Sequence, residues 1–192
     1  SPMKPQKVYA ELRKVMPRDA IIALDAGLAP NYGQDRLNYY EPRSLITSLD
    51  LGGLGFSFPA AIGAKFAAPD RPVINFNGDG GFLFNAQEFS TAVQYNLPLV
   101  TVIMNNGIWG SEKAYQRYAF DERYVGADVT NPRFDKYAEI FGGAGFYVER
   151  PEDIGNALIE ALNCGKPSII EIPTDPDEMP RPARLNEVQG PT

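Results

Sequence analysis

A parallel α/β sheet with helices on both faces is the fold class this 192-residue sequence predicts. Three observations predict it. Short apolar runs recur at 20–24, 73–77, 99–104 and 168–172, the length and composition of strands buried on both sides. Segments with helical spacing of apolar residues alternate with them, which makes each crossover a right-handed strand–helix–strand unit. Two glycine-bearing loops, 78–81 and 105–110, leave the carboxyl ends of strands, where open parallel sheets bind ligands.

Taken in order, residues 1–5 (SPMKP) read as a linker or cut end, since two prolines oppose a helix there. Val8, Leu12, Val15 and Met16 predict a helix over 6–16, closed by Pro17. Ala20–Leu24 is a strand, followed by a polar, tyrosine-rich stretch to Tyr40. The glycine-dense passage 49–58 runs into Pro59-Ala60-Ala61, and proline suits a helix's first turn. Val73–Asn77 is a strand; 85–95 is a helix in which Asn85 and Glu88 have capping-box spacing. Leu99–Met104 is a strand by its uniform apolarity. Helices follow over 132–141 and 151–162, with strands near 146–148 and at 168–172. A single domain over 6–175 is expected, with 176–192 as a C-terminal arm.

Composition narrows the function. A net charge of −6 opposes a nucleic-acid footprint, which would be basic. No apolar run approaches the roughly 20 residues of a membrane span. One cysteine, Cys164, excludes a disulfide framework and fits a reducing, cytoplasmic setting. With no histidine, imidazole chemistry of every kind is excluded from this chain.

What chemistry remains is concentrated in two loops. Gly78, Gly80 and Gly81 free backbone N–H groups to approach an anion, but Asp79 between them would repel a phosphate unless a cation intervenes. Mg²⁺ fits, because it takes hard oxygen ligands from protein and phosphate together. Asn105-Asn106-Gly107-Ile108 ends the next strand, and an asparagine oxygen is a neutral ligand for the same ion. Twenty-four residues separate Gly80 from Asn105, room for one helix and one strand, so adjacent parallel strands set Asp79 beside Asn106.

This pairing resembles the diphosphate-binding motif of thiamine diphosphate (ThDP) enzymes. The run LGGLGFSFPAAIGAK at 51–65 is similar to the corresponding passage of the acetolactate synthase and pyruvate oxidase branch, and 78–110 matches that branch throughout. Downstream, Trp109-Gly110-Ser111-Glu112-Lys113, Gln116 and Arg123-Tyr124-Val125 look more like sulfoacetaldehyde acetyltransferase. The resemblance implies that Asp79 and Asn106 bind Mg²⁺ through side chains and Ile108 through its carbonyl. It implies that Gly78, Gly80 and Gly81 border the diphosphate. Leu54 takes the position of the apolar wedge that bends ThDP, a catalytic duty, because the bend brings the 4′-amino group to the C2 proton. The backbone of Gly52 and Leu54 would bond the aminopyrimidine. Trp109, Glu112 and Lys113 would lie toward the substrate, though Glu112, Lys113, Gln116 and Arg117 have the spacing of a solvated, ion-paired helix face.

Two departures qualify the resemblance. Leu28-Ala29 stand where acetolactate synthases carry Gln-His against the diphosphate, which leaves Asn31 as a stand-in. The pyrimidine-binding domain with its activating glutamate is also missing, so a partner domain or subunit, in a homo- or hetero-oligomer, is implied. The expectation is the ThDP- and Mg²⁺-binding part of a 2-oxoacid or 2-hydroxyacyl-type lyase or carboligase. It would act on a small anionic carbonyl substrate, by acyl transfer or decarboxylation through a C2-carbanion on the cofactor. The alternatives are a non-catalytic ThDP-binding assembly subunit and 2-hydroxyacyl-CoA lyase-like cleavage.

Overall fold

The computed structural model describes residues 2–48 and 51–181. In chain order the elements are α1 (Pro5–Leu12), β1 (Ile21–Leu24), α2 (Leu28–Asn31), α3 (Gly33–Arg36), β2 (Leu45–Thr47), α4 (Ser57–Ala67) and β3 (Val73–Gly78). There follow α5 (Asp79–Leu83), a 3₁₀ turn (Ala86–Glu88), α6 (Phe89–Gln94), β4 (Val100–Asn105) and α7 (Gly110–Ala119). The last are α8 (Phe134–Ile140), β5 (Ala144–Tyr147), a 3₁₀ turn (Pro151–Asp153), α9 (Ile154–Asn163) and β6 (Ser168–Pro173). The strands form one six-stranded sheet in the order β2-β1-β3-β4-β6-β5, and every pairing is parallel.

Side-chain alternation along the central strands builds two cores. Ile22 and Leu24 of β1, Ile74 and Phe76 of β3, and Val100 and Val102 of β4 pack against α1 and α9. Ile21 and Ala23, Val73, and Leu99 and Ile103 point the other way, against α4, α6 and α8. Helices therefore cover both faces, as a parallel sheet with two apolar sides requires. No helix among the described residues is long and apolar enough to cross a membrane.

Several local readings change. Pro5 opens α1 at its first position, where its missing N–H costs nothing. Met3 and Pro5 are buried, and Met3 bridges in parallel to Thr174, while Pro2 and Lys4 stay exposed. The described part of the arm, 176–181, is docked through Glu178, which pairs with Lys4, and through Met179, whose carbonyl accepts the Tyr118 hydroxyl. Positions 182–192 of that arm lie outside the described residues. The helix expected over 85–95 is a 3₁₀ turn leading into α6, and Asn85 forms no capping box. Its Nδ2 donates instead to the Gly55 carbonyl at 2.7 Å. The tyrosine-rich stretch holds α2 and α3, and the strand β2 that follows carried no sequence signal because all its residues are only half-buried at the sheet edge.

Candidate active site

Strand register brings the site together. Gly78 pairs with Met104 across β3 and β4, so Asp79 and the Asn105–Ile108 loop leave the sheet side by side. Leu24 pairs with Phe76, which places Asp25 beside them. A cavity of about 290 Å³ opens at these carboxyl ends, lined among others by Gly52, Leu54, Gly78, Asp79, Asn106 and Ile108.

Asp79 is 2% exposed. One carboxylate oxygen, Oδ2, accepts from the Gly107 backbone N–H at 3.0 Å and from Asn131 Nδ2 at 2.6 Å. Burial holds its carboxyl above the ordinary 3.8, and hydrogen bonds from Asn131 and from the amides of Asp79, Gly80 and Gly107 pull it back. No basic side chain pairs with it among the described residues. Beside it Asn106 Oδ1 accepts the Ile108 amide at 3.3 Å, a turn made possible by the positive φ of Gly107, +68°. Asp79, Asn106 and Ile108 thus line one cavity, and between them they carry a carboxylate, an amide oxygen and a backbone carbonyl, donor types suited to Mg²⁺. The buried anion without a counter-charge is the observation that such a cation would answer.

The glycines have separate reasons. A Cβ on Gly78 or on Gly52 would meet no protein atom within 4 Å, so both leave open room along the cavity. A Cβ on Gly80 would lie 2.6 Å from the Trp109 ring, so that glycine is needed for the indole to lie flat against the loop. α5 is only five residues long, so a helix dipole offers little there for an anion.

Leu54 comes from the opposite wall, and its Cδ2 would stand 3.6 Å from a Cβ on Gly81. The turn bends at Gly52 and Gly55, with φ of +67° and +80°. Trp109 and Glu112 line the cavity, as do Leu28, Ala29 and Asn31. Lys113 does not. Its ammonium pairs with Asp128 at 2.5 Å and lies over the Tyr124 ring, tying the 120–129 loop to α7.

The structure adds residues that the sequence reading passed over. Asn131 Nδ2 bonds both Asp79 and, at 2.9 Å, Asn105 Oδ1. Asn105 Nδ2 in turn donates to Glu171 of β6 at 2.8 Å, and the other Glu171 oxygen accepts the Phe134 amide at 2.7 Å. This chain of bonds holds the Asp79 carboxylate from behind. Asn105 stood within the paired-asparagine motif, whereas Asn131, in a Thr-Asn-Pro loop, carried no signal of its own.

Comparison with known proteins shows the family. Residues 25–172 match the family model described as "Thiamine pyrophosphate enzyme, C-terminal TPP binding domain". Sulfoacetaldehyde acetyltransferase of Castellaniella defragrans is 34% identical over 96% of this chain and 33% of its own length. A probable acetolactate synthase large subunit of Methanococcus aeolicus is 36% identical over 97% of this chain and 33% of its own. The solved structure of a thiamine diphosphate-dependent 4-hydroxybenzoylformate decarboxylase from Rhodococcus jostii superposes with a TM-score of 0.85 at 32% identity. It covers 92% of this chain and 33% of that one. The chain therefore spans about a third of the length of these relatives.

Proposed function

The chain belongs to the thiamine pyrophosphate enzyme family, as its C-terminal TPP-binding domain, and from that premise we propose that it supplies the diphosphate and Mg²⁺ side of a ThDP active site. The reaction is that of a 2-oxoacid or 2-hydroxyacyl-type lyase or carboligase. The observation that carries this reading is the buried Asp79 carboxylate, without a cationic partner among the described residues, lining one cavity with Asn106 and Ile108.

In this reading Asp79, Asn106 and the Ile108 carbonyl hold Mg²⁺, and the metal holds the diphosphate. Gly78 leaves room for the phosphates, while Gly80 and Gly81 offer backbone N–H groups. Leu28 and Ala29 line the cavity with apolar side chains, so only their backbone N–H groups can donate there. Leu54 props the cofactor, and the backbone of Gly52 and Leu54 bonds its ring. When bound, ThDP supplies an electron sink that lets a carbon–carbon bond beside a carbonyl break or form. Trp109 walls the cavity and excludes water, and Glu112 is the ionisable side chain at its mouth.

No lysine, arginine or histidine lines the cavity among the described residues. In this reading the glutamate that activates the cofactor comes from a pyrimidine-binding domain, and that assembly also offers the cation for an anionic carbonyl substrate. The downstream likeness favours an acyl-transfer member of the sulfoacetaldehyde acetyltransferase type.

Titration calorimetry on the full-length protein or complex that carries this domain tests the reading. ThDP should bind only with Mg²⁺ and be released by a chelator, and 2-oxoacids should then be turned over by the loaded complex. ThDP binding that ignores the chelator would falsify the metal assignment, and no binding at all would end the reading.

A further inference from the structure

Asp25 is the most heavily bonded side chain near the cavity, and the roles proposed so far leave it unused. It directly follows β1 and is 1% exposed. Its Oδ1 accepts from the Ala26 amide at 2.7 Å and the Gly55 amide at 3.0 Å. Its Oδ2 accepts from the Ser57 amide at 3.3 Å, the Ser57 hydroxyl at 2.9 Å and Asn77 Nδ2 at 2.6 Å. Three of these bonds come from residues flanking Leu54 on its C-terminal side. A carboxylate is the one side chain of this size that accepts from all of these donors, since an amide would turn its own N–H groups toward some of them.

Asn77 stands immediately before the Gly78–Gly81 loop. Among the described residues no backbone hydrogen bond joins 51–57 to 78–85, so side chains set the distance between the two walls of the cavity. Asn85, bonded to the Gly55 carbonyl, is the second such tie. Asp25 and Leu54 meet at Gly81, where a Cβ would make ordinary contact with both, 3.5 Å from the Asp25 carboxyl carbon and 3.6 Å from Leu54.

We propose that Asp25 is a positioning residue that clamps the Leu54 turn and, through Asn77, fixes that turn against the strand bearing the metal-side loop. The proposal rests on the ThDP reading above, but its geometry concerns only this chain. Asp25 touches neither the cation nor the diphosphate in this scheme. Three of its five bonds go to the Leu54 turn, so its effect falls chiefly on the cofactor's ring side.

That asymmetry gives the test. In the full-length protein or complex, Asp25→Asn should weaken ThDP binding about tenfold or more at saturating Mg²⁺, the cost of a broken buried clamp. Binding of Mg²⁺ with inorganic pyrophosphate, which uses only the other wall, should stay within about twofold. In cofactor-free protein, amide hydrogen exchange over 51–57 should quicken about tenfold while 100–105 stays protected. Equal losses for ThDP and pyrophosphate, or faster exchange in both segments, would make Asp25 a general structural residue and overturn the proposal. Unchanged ThDP affinity would overturn it too. Should Asp25→Asn not fold, Ser57→Ala, which removes one donor to the same carboxylate, carries the same readouts with about a threefold effect on ThDP. If the unaltered protein binds neither probe, the functional reading fails first, and the exchange result separates that failure from failure of the clamp.

Discussion

Asp25 and Asp79 directly follow neighbouring strands of one sheet, both are buried, and burial raises the pKa of both carboxyls. Their surroundings differ. Asp25 spends both oxygens on five donors of the protein and packs beneath Gly81, so its charge is satisfied from within. Asp79, which lines the same cavity, commits only Oδ2, to Gly107 and Asn131. The comparison teaches that depth and a raised pKa do not mark a ligand-binding carboxylate. What marks it is bonding capacity left over toward open space.

The contrast is broken or sharpened most strongly at Asp79 itself. Asp79→Asn should cost Mg²⁺-dependent ThDP binding about a hundredfold or more, measured by calorimetry, because an amide is a poor substitute for an anionic metal ligand. The same change should leave the thermal midpoint of cofactor-free protein equal or higher, since it removes an uncompensated buried charge. Asp25→Asn should lower that midpoint, because it turns N–H groups against N–H groups. Identical stability effects at the two sites would dissolve the distinction.

Asn131→Ala is expected to weaken Mg²⁺ binding by roughly 10–100-fold, the usual cost of losing a residue that orients a metal ligand. Gly80→Ala comes next. Its methyl group, 2.6 Å from the indole, should displace Trp109 at a cost of about 1–3 kcal/mol, visible as a lower thermal midpoint and a shifted tryptophan emission.

Acidity separates the two carboxylates from the pairs elsewhere. Because the folded Asp79 carboxyl titrates above its ordinary 3.8, the fold favours its neutral form. In cation-free protein this group's contribution to stability should therefore rise as pH falls through the raised value toward 3.8, and the Asp79→Asn variant should lack that component. With Mg²⁺ present, protons compete for the same oxygen, so ThDP affinity should begin to fall at a pH above that of a free carboxylate. A flat affinity profile across the acid range would argue that Asp79 holds no cation. Smallest of all, Lys113→Gln should change stability by about 0.2–1 kcal/mol in chemical denaturation and leave ThDP affinity alone, since its partner Asp128 is exposed and its ammonium is turned from the cavity.

Much of the sheet was legible because buried parallel strands are written as short apolar runs, and β1, β3, β4 and β6 fall on them within a residue or so. The edge strand β2 lacked that signature, being half-buried throughout. Asn85 shows the limit of local rules. Its spacing to Glu88 fits a capping box, yet the Gly55 carbonyl, thirty positions away, takes its amide instead. Lys113 shows the same limit, because helical spacing located it but could not choose between the cavity and Asp128.

By itself the sequence determined the parallel α/β class, the neighbouring positions of the two loops and the oxygen-rich chemistry they can offer. Those are encoded in runs, in glycines and in a spacing that one helix and one strand must fill. Only the tertiary structure decided which of two cavity-lining carboxylates spends both oxygens on protein donors and which bonds through one oxygen. It also decided that Asn131 reaches Asp79 across 52 positions and that Glu171 supports Asn105 across 66. Such bonds join residues that share no local period, and the packed sheet selects them by leaving each buried donor and acceptor few partners within reach.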